Sequence, residues 1–323
     1  MIKNIKNYPE MTNPQLRPRY SGVTSFFRTS VQEDAEGVDI GVIGVPFDGG
    51  VTNRTGARHG PRAVREQTTL VRRVNQATGI CPFDLVSVAD LGDAWLEAPY
   101  ELMGAHREIQ DFFANVAKAG TTTLAVGGDH SISLPILRAI AKDGPIGMVH
   151  IDAHCDTGDD YLGSRFHHGA PFSRAVEEGL LDPKRVIQIG IRGSINHSDM
   201  WKFSHDSGMR VVYMEELFDK GWKWAAEEAR NIVGTGKTYL SFDVDSLDPV
   251  FAPGTGTPES GGIMMIEAQR MIRALAGINF IGADLVEVSP PFDVGTITAQ
   301  NAANVLFEIL CILALAVNRR KGS

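Results

Sequence analysis

The sequence predicts one doubly wound α/β domain around a central, mostly parallel sheet of eight strands, flanked by helices. Three observations carry this. Short β-rich runs alternate with helix-like segments from residue 38 onward. Several of those runs are apolar nearly throughout, as parallel strands covered on both faces must be. A length of 323 residues admits two domains, yet no repeat, low-complexity tract or Pro/Ser-rich linker marks a boundary. Strand–helix alternation within one unit therefore points to the doubly wound class.

Taken in order, the expected strands are 38–45 ("VDIGVIGV"), 84–90 ("DLVSVAD"), 121–127 ("TTTLAVG") and 145–151 ("PIGMVHI"). They continue with 185–191 ("RVIQIGI"), 210–214 ("RVVYM"), 237–243 ("KTYLSFD") and 279–285 ("NFIGADL"). Helices are expected over 61–75, 100–118, 134–142, 215–233, 265–276 and 299–317. Pro61 falls at a favoured first-turn position of the first of them. Residues 1–37 precede the first strand and are expected to form an N-terminal arm, leaving 38–323 as the catalytic domain.

Composition narrows the function classes. Hydrophobic content of 43% and charged content of 22% suit a soluble globular enzyme. The formal charge, 31 − 39 = −8, argues against nucleic acid or an anionic membrane as the main partner. Cys81, Cys155 and Cys311 have neither metal-finger nor redox spacing, so a reducing cytoplasm is the expected setting. The N-terminus lacks the apolar core of a signal peptide. The apolar run "VLFEILCILALAV" is thirteen residues long, is interrupted by Glu308, and reads as a buried helix.

In an open α/β sheet, ligands bind beyond the carboxyl ends of the strands. Four of these ends carry chemistry. Asp129 and His130 follow the third strand; Asp152, His154 and Asp156 follow the fourth. Asp243, Asp245 and Asp248 follow the seventh, and Glu287 the eighth. Extended backbone alternates its side chains, so Asp152, His154 and Asp156 are expected on one face, with Ala153 and Cys155 on the other. The same period joins Asp243 to Asp245. With His130 this makes four carboxylates and two imidazoles, an oxygen-rich set that suits Mn²⁺, whereas structural zinc sites usually employ thiolate. Ligand type alone leaves Ni²⁺ possible. Two divalent ions would balance four aspartates, and a paired site makes a strong nucleophile from water at neutral pH.

The segments "GGDH", "DAHCD", "SFDVDSLDP" and "DLVEVSPP" resemble the signatures of the ureohydrolases, the family of arginase and agmatinase. The resemblance runs from about Gly41 to the C-terminus and includes "RTGARHGP", "HHGAPF" and "APGTGTPE". "GVPFDGG" and "EEGLLDP" look closest to the agmatinase-like branch, with its guanidinopropionases and guanidinobutyrases; "GSRFHHGAPF" is also similar to the proclavaminate-processing amidinohydrolases. The resemblance implies two Mn²⁺ per subunit, one held by His130, Asp152, Asp156 and Asp243, the other by Asp152, His154, Asp243 and Asp245. It implies attack of an activated hydroxide on a guanidinium carbon, with collapse to urea and an amine. Asp156 would orient the nucleophile and pass its proton on. Glu287 would hold the guanidinium, and His168 would shuttle a proton, a role its neighbour His167 could exchange with it. A trimer-built homo-oligomer, trimer or hexamer, is implied as well. Two positions depart from the family's habit: Cys155 replaces a serine, alanine or threonine, and Ala170 a threonine.

Plainer readings cover the rest. His150 is expected to be a satisfied core or supporting histidine, Cys155 a small buried hydrophobe, Asp129 a loop-orienting group and Asp248 a turn residue. The Gly-rich stretch 44–61 lacks both the P-loop ending and the dinucleotide spacing, and reads as a substrate-lining loop. For the far end of the substrate, Tyr161, Arg165 and Asn53 (with Arg54) are the candidate donors to a carboxylate, favouring a short guanidino acid such as 3-guanidinopropionate or 4-guanidinobutyrate. Asp159 and Asp160 lie in the same loop, so agmatine is the alternative. A dinuclear phosphoesterase, a related deacylase and an inactive assembly partner are the readings from other classes; the last would usually have lost a metal ligand.

Overall fold

The computed structural model describes residues 18–322. Eight strands form one sheet: β1 (Ile40–Val45), β2 (Val88–Asp93), β3 (Thr122–Gly127), β4 (Ile146–Ile151), β5 (Leu181–Ile191), β6 (Arg210–Tyr213), β7 (Thr238–Asp243) and β8 (Phe280–Val286). Their order is β2-β1-β3-β8-β7-β4-β5-β6, and every neighbouring pair is parallel. The expected strand at 84–90 begins later than its apolar pattern suggested. Pro82 starts a short helix, α2 (Pro82–Leu85), whose last residues take up the first part of that run.

The strands are covered on both faces, which explains their unbroken apolarity. Ile40, Val42, Leu124, Val126, Val149 and Ile151 belong to one hydrophobic core; Ile43, Val45, Ala125 and Met148 belong to the other. That alternation is the period-two pleat of strands buried on each side. One layer contains α1 (Gly60–Gln67), α7 (Met214–Val233), α8 (Met265–Ala274) and α9 (Ile297–Gly322), with α9 packed on α1, α2, α8 and β8. The other contains α3 (Leu102–Lys118), α4 (Ser133–Ile140) and α5 (Pro171–Glu177), packed in succession. The short α6 (Lys202–Ser207) sits against β5 and β6.

Helix α9 is long and apolar enough to cross a bilayer by length and composition, but 78% of its most apolar window is buried inside the domain. Glu308, the charge that interrupts it, accepts hydrogen bonds from Asn75 (2.7 Å) and Arg273 Nε (2.9 Å). Residues 1–17 of the expected arm lie outside the described residues. From Phe26 the chain is tied to the domain: Phe26 and Phe27 are fully buried, Phe27 meets the rings of Phe83 and Phe307, and Val31 bridges to Asp90.

Strand order positions the site. The four strand ends that carry carboxylates and imidazoles are contiguous at the centre of the sheet: β3, β8, β7 and β4. Register aligns them too. Val126 pairs with Leu285, Leu285 with Phe242, and Phe242 with Ile151. The next residue of each strand is therefore level with its neighbours, which sets Asp243 beside Asp152.

Candidate metal centre and substrate cavity

Beyond this row the backbone leaves the sheet in four tight turns. After β3, the carboxylate of Asp129 accepts from the amides of Ser131 (2.9 Å) and Gly50 (2.7 Å), fixing the turn that presents His130. Asp129 thus orients the loop, and burial, helped by nearby Glu287, lifts its carboxyl to about 6. His130 is fully buried. Its Nδ1 lies 3.2 Å from Asp152 Oδ2, 2.9 Å from Asp156 Oδ2 and 3.2 Å from Asp243 Oδ2.

On the opposite side of the ring, His130 Nε2 is 2.7 Å from Ser241 Oγ, whose hydroxyl donates to Asp284 Oδ1 (2.7 Å). Asp284 also accepts from Ser133 (2.6 Å) and Tyr239 (2.9 Å). With the Ser241 proton directed at Asp284, its oxygen accepts from His130. An imidazole proton then resides on Nε2, and Nδ1 is the nitrogen turned toward the three carboxylates.

After β4, Asp152 accepts from the His154 amide (2.6 Å) and lies 2.8 Å from His150 Nε2, the supporting role expected of that histidine. His154 Nδ1 is 3.1 Å from Asp245 Oδ2. After β7, the Asp243 carboxylate accepts from the Asp245 amide (2.8 Å), and Asp245 accepts from the Ala153 amide (3.1 Å) and Thr257 Oγ1 (3.2 Å). All six expected ligands therefore meet in one cluster. Strand alternation, however, is only part of the cause. β4 ends at Ile151, and Asp156 reaches the cluster from a left-handed backbone at φ +50°. A 3₁₀ turn over Val244–Ser246 supplies the offset of Asp245.

The donor set fits divalent cations. Among the described residues the buried Nδ1 of His130 has no hydrogen-bond partner, although three carboxylates surround it. Burial, then repulsion from Asp245 and Asp152, pushes the Asp243 carboxyl far above the usual range. Burial and Asp152 lift Asp245 to about 6. Burial opposes ionisation of Asp152, but His150, His130 and His154 hold it well down. Carboxylates this crowded need positive charge between them to ionise together.

Cys155 packs with Ile191, Trp201 and Val211, and burial drives its thiol far up, so it presents no thiolate to the cluster. Asp248 accepts from the amides of Val250, Gly261 and Gly262, as a turn residue does.

Glu287, at φ +66°, lines a cavity of about 960 Å³ together with His154, Asp156, Asp243 and Asp245. Its Oε1 accepts from the His130 amide (2.9 Å) and lies 2.9 Å from His168 Nδ1. Its Oε2 is buried and has no hydrogen-bond partner among the described residues. Burial works against a charged His168, but the Glu287 carboxylate overrides it and lifts the imidazole to about 9. His168 Nε2 meets Thr52 Oγ1 at 2.9 Å. His167 turns elsewhere, bonding the Asp159 carbonyl (2.9 Å) and lying against the Tyr161 ring.

The specificity candidates divide. Tyr161 lines the cavity. Arg165 does not: its Nε donates to Asp159 (3.0 Å) and its Nη2 to Glu177 (2.8 Å). Asn53 is exposed and also outside the lining, where its neighbour Thr52 stands. The loop after β5 supplies lining that the motifs left out: Ser194, Asn196 and His197. β5 is the neighbour of β4, so the rule that placed the other loops reaches this one once strand order is known. Ser241 and Asp284 were also passed over; a charged residue within a strand covered on both faces was the available signal.

A parallel α/β sheet whose central strands converge carboxylates and imidazoles on a deep cavity defines a hydrolytic enzyme of metal-binding type. The sequence model of the arginase family matches residues 38–311, and the chain belongs to that family. It is 51% identical to guanidinopropionase of Pseudomonas aeruginosa over 97% of this chain and 98% of that protein. It is 48% identical to the mitochondrial agmatinase of Gallus gallus, over 90% and 86%. The solved structure of proclavaminate amidinohydrolase from Streptomyces clavuligerus superposes with a TM-score of 0.89 at 38% identity, covering 93% of this chain and 99% of that one.

Proposed function

We propose that this protein hydrolyses a C–N bond of a small guanidino compound, releasing urea and an amine, with two Mn²⁺ ions per subunit. The observation that carries the reading is Glu287: a buried carboxylate oxygen with no hydrogen-bond partner among the described residues, in the cavity that the ligand cluster also lines. His130, Asp152, Asp156 and Asp243 would hold one ion, and Asp152, His154, Asp243 and Asp245 the other. Bound there, such ions would supply Lewis acidity that makes water a nucleophile at neutral pH, and Ni²⁺ suits the same donors.

The chain's own groups supply the rest. Glu287 Oε2 accepts from the guanidinium and holds its carbon toward the cluster. Asp156 takes the proton of the attacking water and delivers it to the departing nitrogen. His168, kept charged by Glu287, is a second proton source for the leaving amine. One water is consumed, and urea and amine are the products.

A short guanidino acid is the favoured substrate, in keeping with the 51% identity to a guanidinopropionase. Tyr161, Ser194 and Asn196 provide polar groups along the cavity for the tail carboxylate. Asp160 and Asp199 in the same wall favour agmatine as the second reading. A trimer-built homo-oligomer and a cytoplasmic setting complete the proposal. A urea-release assay of Mn²⁺-loaded protein across 3-guanidinopropionate, 4-guanidinobutyrate, agmatine and arginine tests it. We expect one of the two acids to be preferred; preference for agmatine would replace the acid reading with the second one.

A further inference from the structure

We propose that Arg192 is a positioning residue for the second metal site, acting through Asp245; this rests on the reading of Asp245 and His154 as ligands. Arg192 leaves the end of β5, and its guanidinium extends beneath the exit of β7. Nη2 donates to the carbonyls of Asp245 (2.7 Å), Leu247 (3.2 Å) and Glu259 (2.7 Å). Nη1 donates to those of Ser246 (3.1 Å) and Gly190 (3.2 Å), and Nε again to Glu259 (3.2 Å). Five carbonyls on three segments thus share one fork, and every one of these bonds ends on main chain.

The same residue reaches the β4 exit. Its amide donates to the Ala153 carbonyl (2.9 Å), and the Ala153 amide donates to Asp245 Oδ1 (3.1 Å). The Arg192 guanidinium therefore fixes the backbone that carries Asp245, while its main chain holds the segment whose amide orients the Asp245 carboxylate. A planar guanidinium with five donors can serve this many carbonyls; a lysine, with three donors on a mobile stem, cannot. Gly262 leaves room for the fork and for the Asp248 main chain: a Cβ there would clash with both.

The geometry divides the two ions. The His130 side is held by the Asp129 turn and by Ser241, which Arg192 does not touch; the His154–Asp245 side depends on the clamp. Loss of the clamp should weaken the second ion about 10–100-fold, as is usual when support behind a ligand is removed, and the first much less, since it feels the clamp only through the Asp245 amide that caps Asp243.

The test is Mn²⁺ binding to the full-length apoprotein, read by titration calorimetry and by the spin-coupled Mn²⁺–Mn²⁺ resonance. Arg192→Met, Arg192→Lys and Gly262→Ala are compared with Arg185→Met. Arg185 also donates to backbone carbonyls, of Val233 and Lys237, at the opposite end of the sheet. We expect the wild type and Arg185→Met to bind two ions alike. Arg192→Met should bind one tightly and lose the coupled signal at low Mn²⁺, with Arg192→Lys intermediate and Gly262→Ala shifted in the same direction. If Arg192→Met does not fold, the other two variants decide. Wild-type affinity for both ions in the Arg192 and Gly262 variants overturns the proposal while leaving the metal site intact, as does an equal loss in Arg185→Met. Wild-type protein that takes up fewer than two ions overturns the ligand reading and this proposal with it.

Discussion

Two carboxylates of the site, Asp156 and Glu287, have left-handed backbones, a region that Asp tolerates and Glu seldom adopts. Such strain costs on the order of 1–3 kcal/mol and is held in place by surrounding contacts; here the Glu287 amide donates to the Gly128 carbonyl and its carboxylate caps the His130 amide. Substitution should therefore separate chemistry from architecture. Glu287→Gln keeps the shape but removes the charge, so kcat/KM for urea release should fall about 10²–10³-fold while Mn²⁺ uptake is retained. Retained activity in that variant would remove Glu287 from substrate binding. Ser241→Ala interrupts the path from Asp284 to His130, and chelator competition should show the ion on the His130 side held about 10–100-fold less tightly. Unchanged affinity would reduce Ser241 to packing. The six candidate ligands were all legible in the sequence, yet for a partly different reason. Register sets Asp152, the residue after β4, beside Asp243 at the end of β7, but a left-handed turn delivers Asp156 and a 3₁₀ turn delivers Asp245, conformations that residue spacing does not disclose.

Strands and helices were legible where apolar runs were long, and less so where short elements intervened. The helix that Pro82 begins runs into the start of what reads as strand, and α5 and α6, seven and six residues long, carry no readable period. Strand order was the larger omission, because local pattern cannot say that β8 and β7 insert between β3 and β4. That insertion is what gathers four motifs spread over some 160 residues into one row. Helix α3 bears a pH-dependent contribution to stability. His106 is buried, with Nε2 3.2 Å from Ser131 Oγ, and burial, aided by Arg138, holds its imidazole down to about 4. The unfolded chain, near 6.5, binds the extra proton first, so stability is intact above about 6.5 and is lost as pH falls toward 4. His106→Gln should make urea-denaturation midpoints less steep across that window, by up to about 3 kcal/mol. An unaltered slope would mean His106 is already charged in the fold.

For the whole molecule, the account joins a sheet, a family and a charge problem. A net charge of −8 and several buried carboxylates favour cations at the centre of the domain. Glu287 and the cluster line one cavity, and membership of the arginase family gives that arrangement a reaction. Composition could not choose a substrate, since the walls bear donors and acids whose positions emerge only on folding. Arg165 illustrates this: a suitable donor in sequence, it is engaged by Asp159 and Glu177 in the fold. The most direct test is urea release by the wild type and Asp243→Ala, measured against Mn²⁺ content as the ion is added back. The account predicts that wild-type turnover of a guanidino compound rises with the second ion, and that Asp243→Ala, stripped of the carboxylate both sites share, neither retains the pair nor forms urea. Urea release by Asp243→Ala at the wild-type rate, or none from any guanidino compound by wild-type protein carrying both ions, would contradict it.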